Sequence, residues 1–74
     1  MKVVYAAETD TLTITLRDEP VRESEAERSG VILDYAADGT LVGLEILDAS
    51  RRVPKPTTVE IEVVSQTGEP RAAE

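Results

Sequence analysis

The carboxylates best placed for a chemical role are Asp34, Asp38 and Glu45, which lie in the stretch GVILDYAADGTLVGLEIL, residues 30–47. Converging hard oxygens hold Mg²⁺ or Ca²⁺, and a pair of carboxylates flanking a cleft can carry acid and base catalysis. In the strand register argued below, Asp34 faces Gly43 and Ile32 faces Glu45. Asp34 and Glu45 are then diagonal neighbours on the outer face of a sheet, about 7–8 Å apart and within reach of one shared cation. This pair supports one reading of the chain as a small ligand- or divalent-cation-binding domain. The plainer reading leaves both acids solvated, or pairs Glu45 with Arg17. Asp38 has a structural use, because Asp38-Gly39 suits a tight hairpin turn in which Gly accepts positive φ and Asp bonds nearby backbone. Asp48 stands where a helix N-cap would, and capping engages the same atoms that a polar pocket with Ser50 would need.

Nucleophilic catalysis finds no support. The hydroxyls of Ser24, Ser29, Ser50 and Ser65 have no histidine to act as base, and lysine occurs only at Lys2 and Lys55. Without cysteine, neither a disulfide framework nor a cysteine-ligated zinc site is available. Gly30, Gly39, Gly43 and Gly68 are too dispersed for a phosphate-cradling loop. The expectation is a protein with no catalytic residues, no cofactor and no enzymatic activity.

The elements that must position these residues read as strands. Thr11 to Leu16, TLTITL, alternates Leu12, Ile14 and Leu16 with threonines, the period of a half-buried strand. Lys2 to Ala6 precedes it, and closure around Glu8-Thr9 opposes Tyr5 to Leu12 and Val3 to Ile14, all on one face. A second hairpin folds at Asp38-Gly39. A loop of two or four residues pairs Tyr35 with Val42, Leu33 with Leu44 and Val31 with Ile46, whereas a three-residue loop would scatter the apolar set over both faces. The first register is therefore expected.

Asp18 to Ser29, DEPVRESEAERS, is acidic and exposed, and its conformation is left open between edge strand, helical turn and loop. Residues 48–53 predict a short helix, with Asp48 as N-cap and Arg51 and Arg52 at its C-terminal end. Pro54 and Pro56 stop it. Residues 57–64, TTVEIEVV, alternate again and predict a fifth strand. The fold class is thus mainly β, a small α+β domain over residues 1–64 in which two antiparallel hairpins form one sheet. Residues 65–74 are polar and are expected to be a disordered tail.

A chain of 74 residues buries only about 60% of its unfolded surface. With no disulfide or cysteine-ligated metal available, oligomerisation is the remaining aid to stability. The sheet's apolar face needs a cover, so a homodimer is expected, packed sheet on sheet or extended across the interface, with Val59, Ile61 and Val63 as interface residues. The net charge of −7 and the two tyrosines, Tyr5 and Tyr35, argue against nucleic-acid binding and allow a basic protein partner. No apolar run approaches the roughly 20 residues that cross a bilayer, and the N-terminus has no signal-peptide pattern. A cytoplasmic location with no membrane partner is the expectation.

In order along the chain come ITLRDEP, DEPVRESE, the Gly-led strand, Asp34-Tyr35, Asp38-Gly39, Val42-Gly43 and Glu45-Ile46-Leu47-Asp48-Ala49-Ser50. This succession resembles the bacterial family catalogued as domain of unknown function 2283, over residues 2–53. Members often carry Asp-Pro after the first tyrosine, where this chain has Ala6-Ala7. The resemblance implies a small bacterial protein with no established catalytic residues. For members encoded beside small toxin-like proteins, it implies an antitoxin role. It supplies no site residues and says nothing of residues 57–64.

Overall fold

The computed structural model describes residues 1–65 and the backbone of Pro70 and Arg71. Five antiparallel strands form one open sheet in the order β1-β2-β5-β4-β3. They are β1 (Lys2–Ala6), β2 (Thr11–Thr15), β3 (Glu23–Ala26), β4 (Val31–Tyr35) and β5 (Leu41–Ile46). A single turn of helix, α1 (Ala49–Arg52), follows β5, and β6 (Val63–Val64) pairs with β7 (Pro70–Arg71) in a separate two-stranded ribbon.

Both hairpins form because apolar residues at every second position place one set of side chains on one face. In the first, Tyr5 opposes Leu12 and Val3 opposes Ile14, as the alternation predicts. β2 then pairs with β5, so that Leu12 meets Ile46 and Ile14 meets Leu44, while β4 opposes Val31 to Ile46 and Leu33 to Leu44. One continuous apolar face results. The opposite face carries Thr13, Thr15, Gly43, Glu45, Ile32 and Asp34 by the same registers.

The tip of the second hairpin departs from expectation. Ala36 N–H donates to Thr40 O at 2.9 Å and Gly39 N–H donates to Ala36 O at 3.0 Å, closing a three-residue loop over Ala37, Asp38 and Gly39. Tyr35 accordingly opposes Leu41 and not Val42. The scattering that such a loop would cause is avoided by a β-bulge: between the pairs Tyr35–Leu41 and Asp34–Gly43 the β5 strand carries Val42 as an extra residue, which restores the register below it. The Val42 carbonyl accepts from the N–H groups of Leu16 and Arg17, at 2.7 and 3.2 Å.

The acidic segment left open by its sequence is the sheet's fifth strand, β3, an exposed edge paired to β4. The strand expected over 57–64 forms only at Val63–Val64, and outside the sheet. Pro54 and Pro56 explain the separation: a turn closed by Thr58 N–H donating to Lys55 O at 3.0 Å leads the chain off the body. Of the polar segment 65–74, residues 66–69 and 72–74 lie outside the described residues, and Pro70–Arg71 are the second strand of the ribbon.

The buried apolar residues are Leu12, Val42 and Ala49, the last fully enclosed. A core of this size is what one open layer of sheet can build.

Candidate functional site

The two sequence candidates do come together. Asp34 faces Gly43 and Ile32 faces Glu45, so the two acids are diagonal neighbours, as expected. Asp34 is not solvated, however: it retains 7% of its exposure. β3 brings Ser24 directly opposite Asp34, and the Ser24 hydroxyl donates to Asp34 Oδ1 at 2.6 Å. Gly43 is what allows β2 and β5 to close here. A Cβ built on it would stand 2.8 Å from the Ile14 carbonyl oxygen, so the glycine serves a close backbone approach and stands beside a bulge.

Partial burial, and then the nearby Asp34 carboxyl, push the Glu45 carboxyl above its usual range. Arg17 does not relieve it, because its guanidinium pairs with Glu19 at 2.9 Å. Among the described residues no three His, Cys, Asp or Glu side chains converge, and two carboxylates fall short of the six to eight oxygens typical of calcium. Held as neighbours in the sheet, the two carboxyls repel each other wherever both are ionised.

Asp38 behaves as a turn residue. Gly39 has φ +85°, Asp38 Oδ1 accepts the Thr40 N–H at 2.9 Å, and hydrogen bonding from Thr40, by its side chain first and then by this N–H, holds the Asp38 carboxyl below its usual range. Asp48, by contrast, does not cap α1. It lies at the N-cap position with φ 52° and ψ 46°, in the left-handed region, and makes no side-chain cap hydrogen bond, because capping requires an extended backbone there.

Asp10, which sequence reasoning passed over, supplies the cap from the turn between β1 and β2. Its Oδ1 accepts the Ser50 N–H at 3.0 Å and its Oδ2 the Ser50 hydroxyl at 2.7 Å, while its carbonyl accepts the Ala49 N–H at 2.9 Å. The Tyr5 hydroxyl also donates to Oδ1, at 2.7 Å. These bonds, from Ser50 first, hold the Asp10 carboxyl below its usual range and push the Tyr5 phenol up. An acid kept ionised beside a phenol kept protonated leaves neither group near the pH at which proton transfer is efficient. The trio joins the first hairpin to the helix. No local signal marks it, since Asp10 and Ser50 are 40 residues apart.

Two further surfaces are accessible. An open groove of about 480 Å³ runs between Pro20 and Val21 on one side and Ala36 and Ala37 on the other, and Glu19 at its rim has an Oε2 buried without a partner. The second surface is the C-terminal arm. The expected interface residues Val59, Ile61 and Val63 are 55%, 62% and 43% exposed, and Val64 is 55% exposed. No helix among the described residues is long and apolar enough to cross a membrane.

A family model described as "Protein of unknown function (DUF2283)" matches residues 2–50. No curated protein and no solved structure matches the chain.

Proposed function

Because the chain belongs to the DUF2283 family, whose function is unknown, its role must be read from its own geometry, and we propose that it is a non-catalytic self-association module. It assembles as a homodimer in the cytoplasm. The observation that carries this reading is the arm: Val59, Ile61, Val63 and Val64 stand in water at alternating and adjacent positions, on a segment that adds nothing to the sheet of its own body. An exposed alternating strand is a template for pairing with another chain. Glu60 and Glu62 on its other face restrict indiscriminate pairing.

The net charge of −7 and the exposed glutamates Glu23 and Glu25 of β3 support a second role, the docking of a basic protein of the small-toxin type through charge complementarity. The two roles use different surfaces.

Sedimentation velocity tests the first. Ile61→Asp is expected to convert a dimer to monomer, while Glu60→Lys leaves the dimer in place. Equal effects of the two would overturn the assignment of faces on the arm, and a monomeric parent protein would overturn self-association itself.

A further inference from the structure

Among the described residues the sheet has two free edges, β1 and β3, each with backbone donors and acceptors that no neighbouring strand takes up. We propose that the arm, residues 57–64, adds as an antiparallel strand to the β1 edge of a second copy of the chain, with Ile61 opposite Val3, Val59 opposite Tyr5 and Glu62 opposite Lys2. This rests on the self-association proposed above and specifies its contacts.

Charge selects the edge. β3 reads Glu23-Ser24-Glu25-Ala26, and its register with Tyr35 and Leu33 puts both glutamates on the apolar face. An arm laid there would set Glu60 and Glu62 against Glu23 and Glu25, or else set its valines and isoleucine against those carboxylates. Like charges on facing strands destabilise the pair. β1 has neither fault. Val3 and Tyr5 lie on the apolar face, while Lys2 and the 43% exposed Val4 lie on the other, with no acid in the strand.

Face matching then restricts the register. Val59, Ile61 and Val63 must continue the apolar face begun by Val3 and Tyr5. Sliding the arm two residues toward its C-terminus leaves Lys2 opposite Val64; sliding it two the other way leaves Tyr5 opposite Thr57. The register stated makes two apolar pairs and one opposite-charge pair. Antiparallel pairing is preferred over parallel because it is the commoner and slightly stronger ladder, and every strand pair of this sheet already uses it.

The pairing is between copies. The Lys55–Thr58 turn carries the arm off the body, and Val63 and Val64 make their ladder bonds with Arg71 and Pro70, leaving the arm's other edge for a partner. The two-stranded ribbon would then extend the partner's sheet from five strands to seven.

The chain has no cysteine, so engineered pairs report cleanly. In Lys2→Cys/Glu62→Cys protein, mild oxidation is expected to give a covalent dimer, whereas Lys2→Cys/Glu60→Cys, which would report parallel pairing or the antiparallel register slipped by two, is expected to give little. In the charge series, Lys2→Glu is expected to raise the dimer dissociation constant by roughly tenfold, and Lys2→Glu/Glu62→Lys to restore it. A disulfide formed within one chain would overturn the proposal, as would preferential linkage through position 60. Failure of the 2–62 pair to link, in a protein that still sediments as an Ile61-dependent dimer, would overturn this pairing and leave self-association standing. A protein monomeric throughout would overturn both.

Discussion

Asp34 and Glu45 are set beside each other by residues that carry no charge. Gly43 brings no side chain between β4 and β2, and the Ser24 hydroxyl donates to the buried Asp34 carboxyl. Glu45, beside it, takes up the cost as a raised pKa. The folded protein therefore binds a proton at Glu45 more readily than the unfolded chain does, and stability falls as pH rises from the ordinary glutamate range through the raised value. Asp10 and Asp38 work the other way. Their lowered pKa values contribute stability above the ordinary aspartate range, lost as pH falls through the folded-state values. Glu45→Gln is expected to stabilise the protein at pH 7 by about 0.2–1 kcal/mol, the worth of removing one of two neighbouring like charges, and to change little near pH 4. Urea denaturation at the two pH values measures it.

At the scale of elements, the second hairpin shows how two local preferences were reconciled. Ala37-Asp38-Gly39 forms the three-residue loop that its turn chemistry favours, and the alternation of Val31, Leu33, Leu44 and Ile46 demands the other register. The Val42 bulge satisfies both, and Val42 itself, 2% exposed, becomes the most buried large side chain. Gly43 next to it is where β2 comes closest. Gly43→Ala is expected to cost about 1–3 kcal/mol, since the neighbour at 2.8 Å is backbone and can yield only if the sheet does. A lowered denaturant midpoint with an unchanged m value would record it. The helix shows the reverse dependence. A four-residue helix has no stability of its own in water, and α1 persists because Asp10 receives its first N–H groups and its first residue, Ala49, is fully buried.

At the scale of the molecule, the core is small. Association through the arm adds apolar burial that the monomer lacks. It follows that melting should depend on concentration: a hundredfold rise is expected to raise Tm by about 5–10 °C, and Ile61→Asp should abolish the dependence. Calorimetry at two concentrations decides it.

The sequence by itself determined the strands at Lys2–Ala6, Thr11–Thr15, Val31–Tyr35 and Leu41–Ile46, most of their register and the family, because alternation and turn chemistry act between residues close along the chain. It also placed Asp34 and Glu45 side by side, since register alone decides that. The tertiary structure decided whether Asp34 met water, which of Asp48 and Asp10 capped the helix, and where residues 57–64 went. Each of those depends on which backbones meet across the sheet. Ser24 reaches Asp34 only once β3 has docked on the edge, and Asp10 reaches Ser50 only after the intervening strands have brought the two turns together. The arm had the pattern of a strand, but a strand exists only where a second backbone receives its hydrogen bonds, and among the described residues that happens only at Val63–Val64, against Pro70–Arg71.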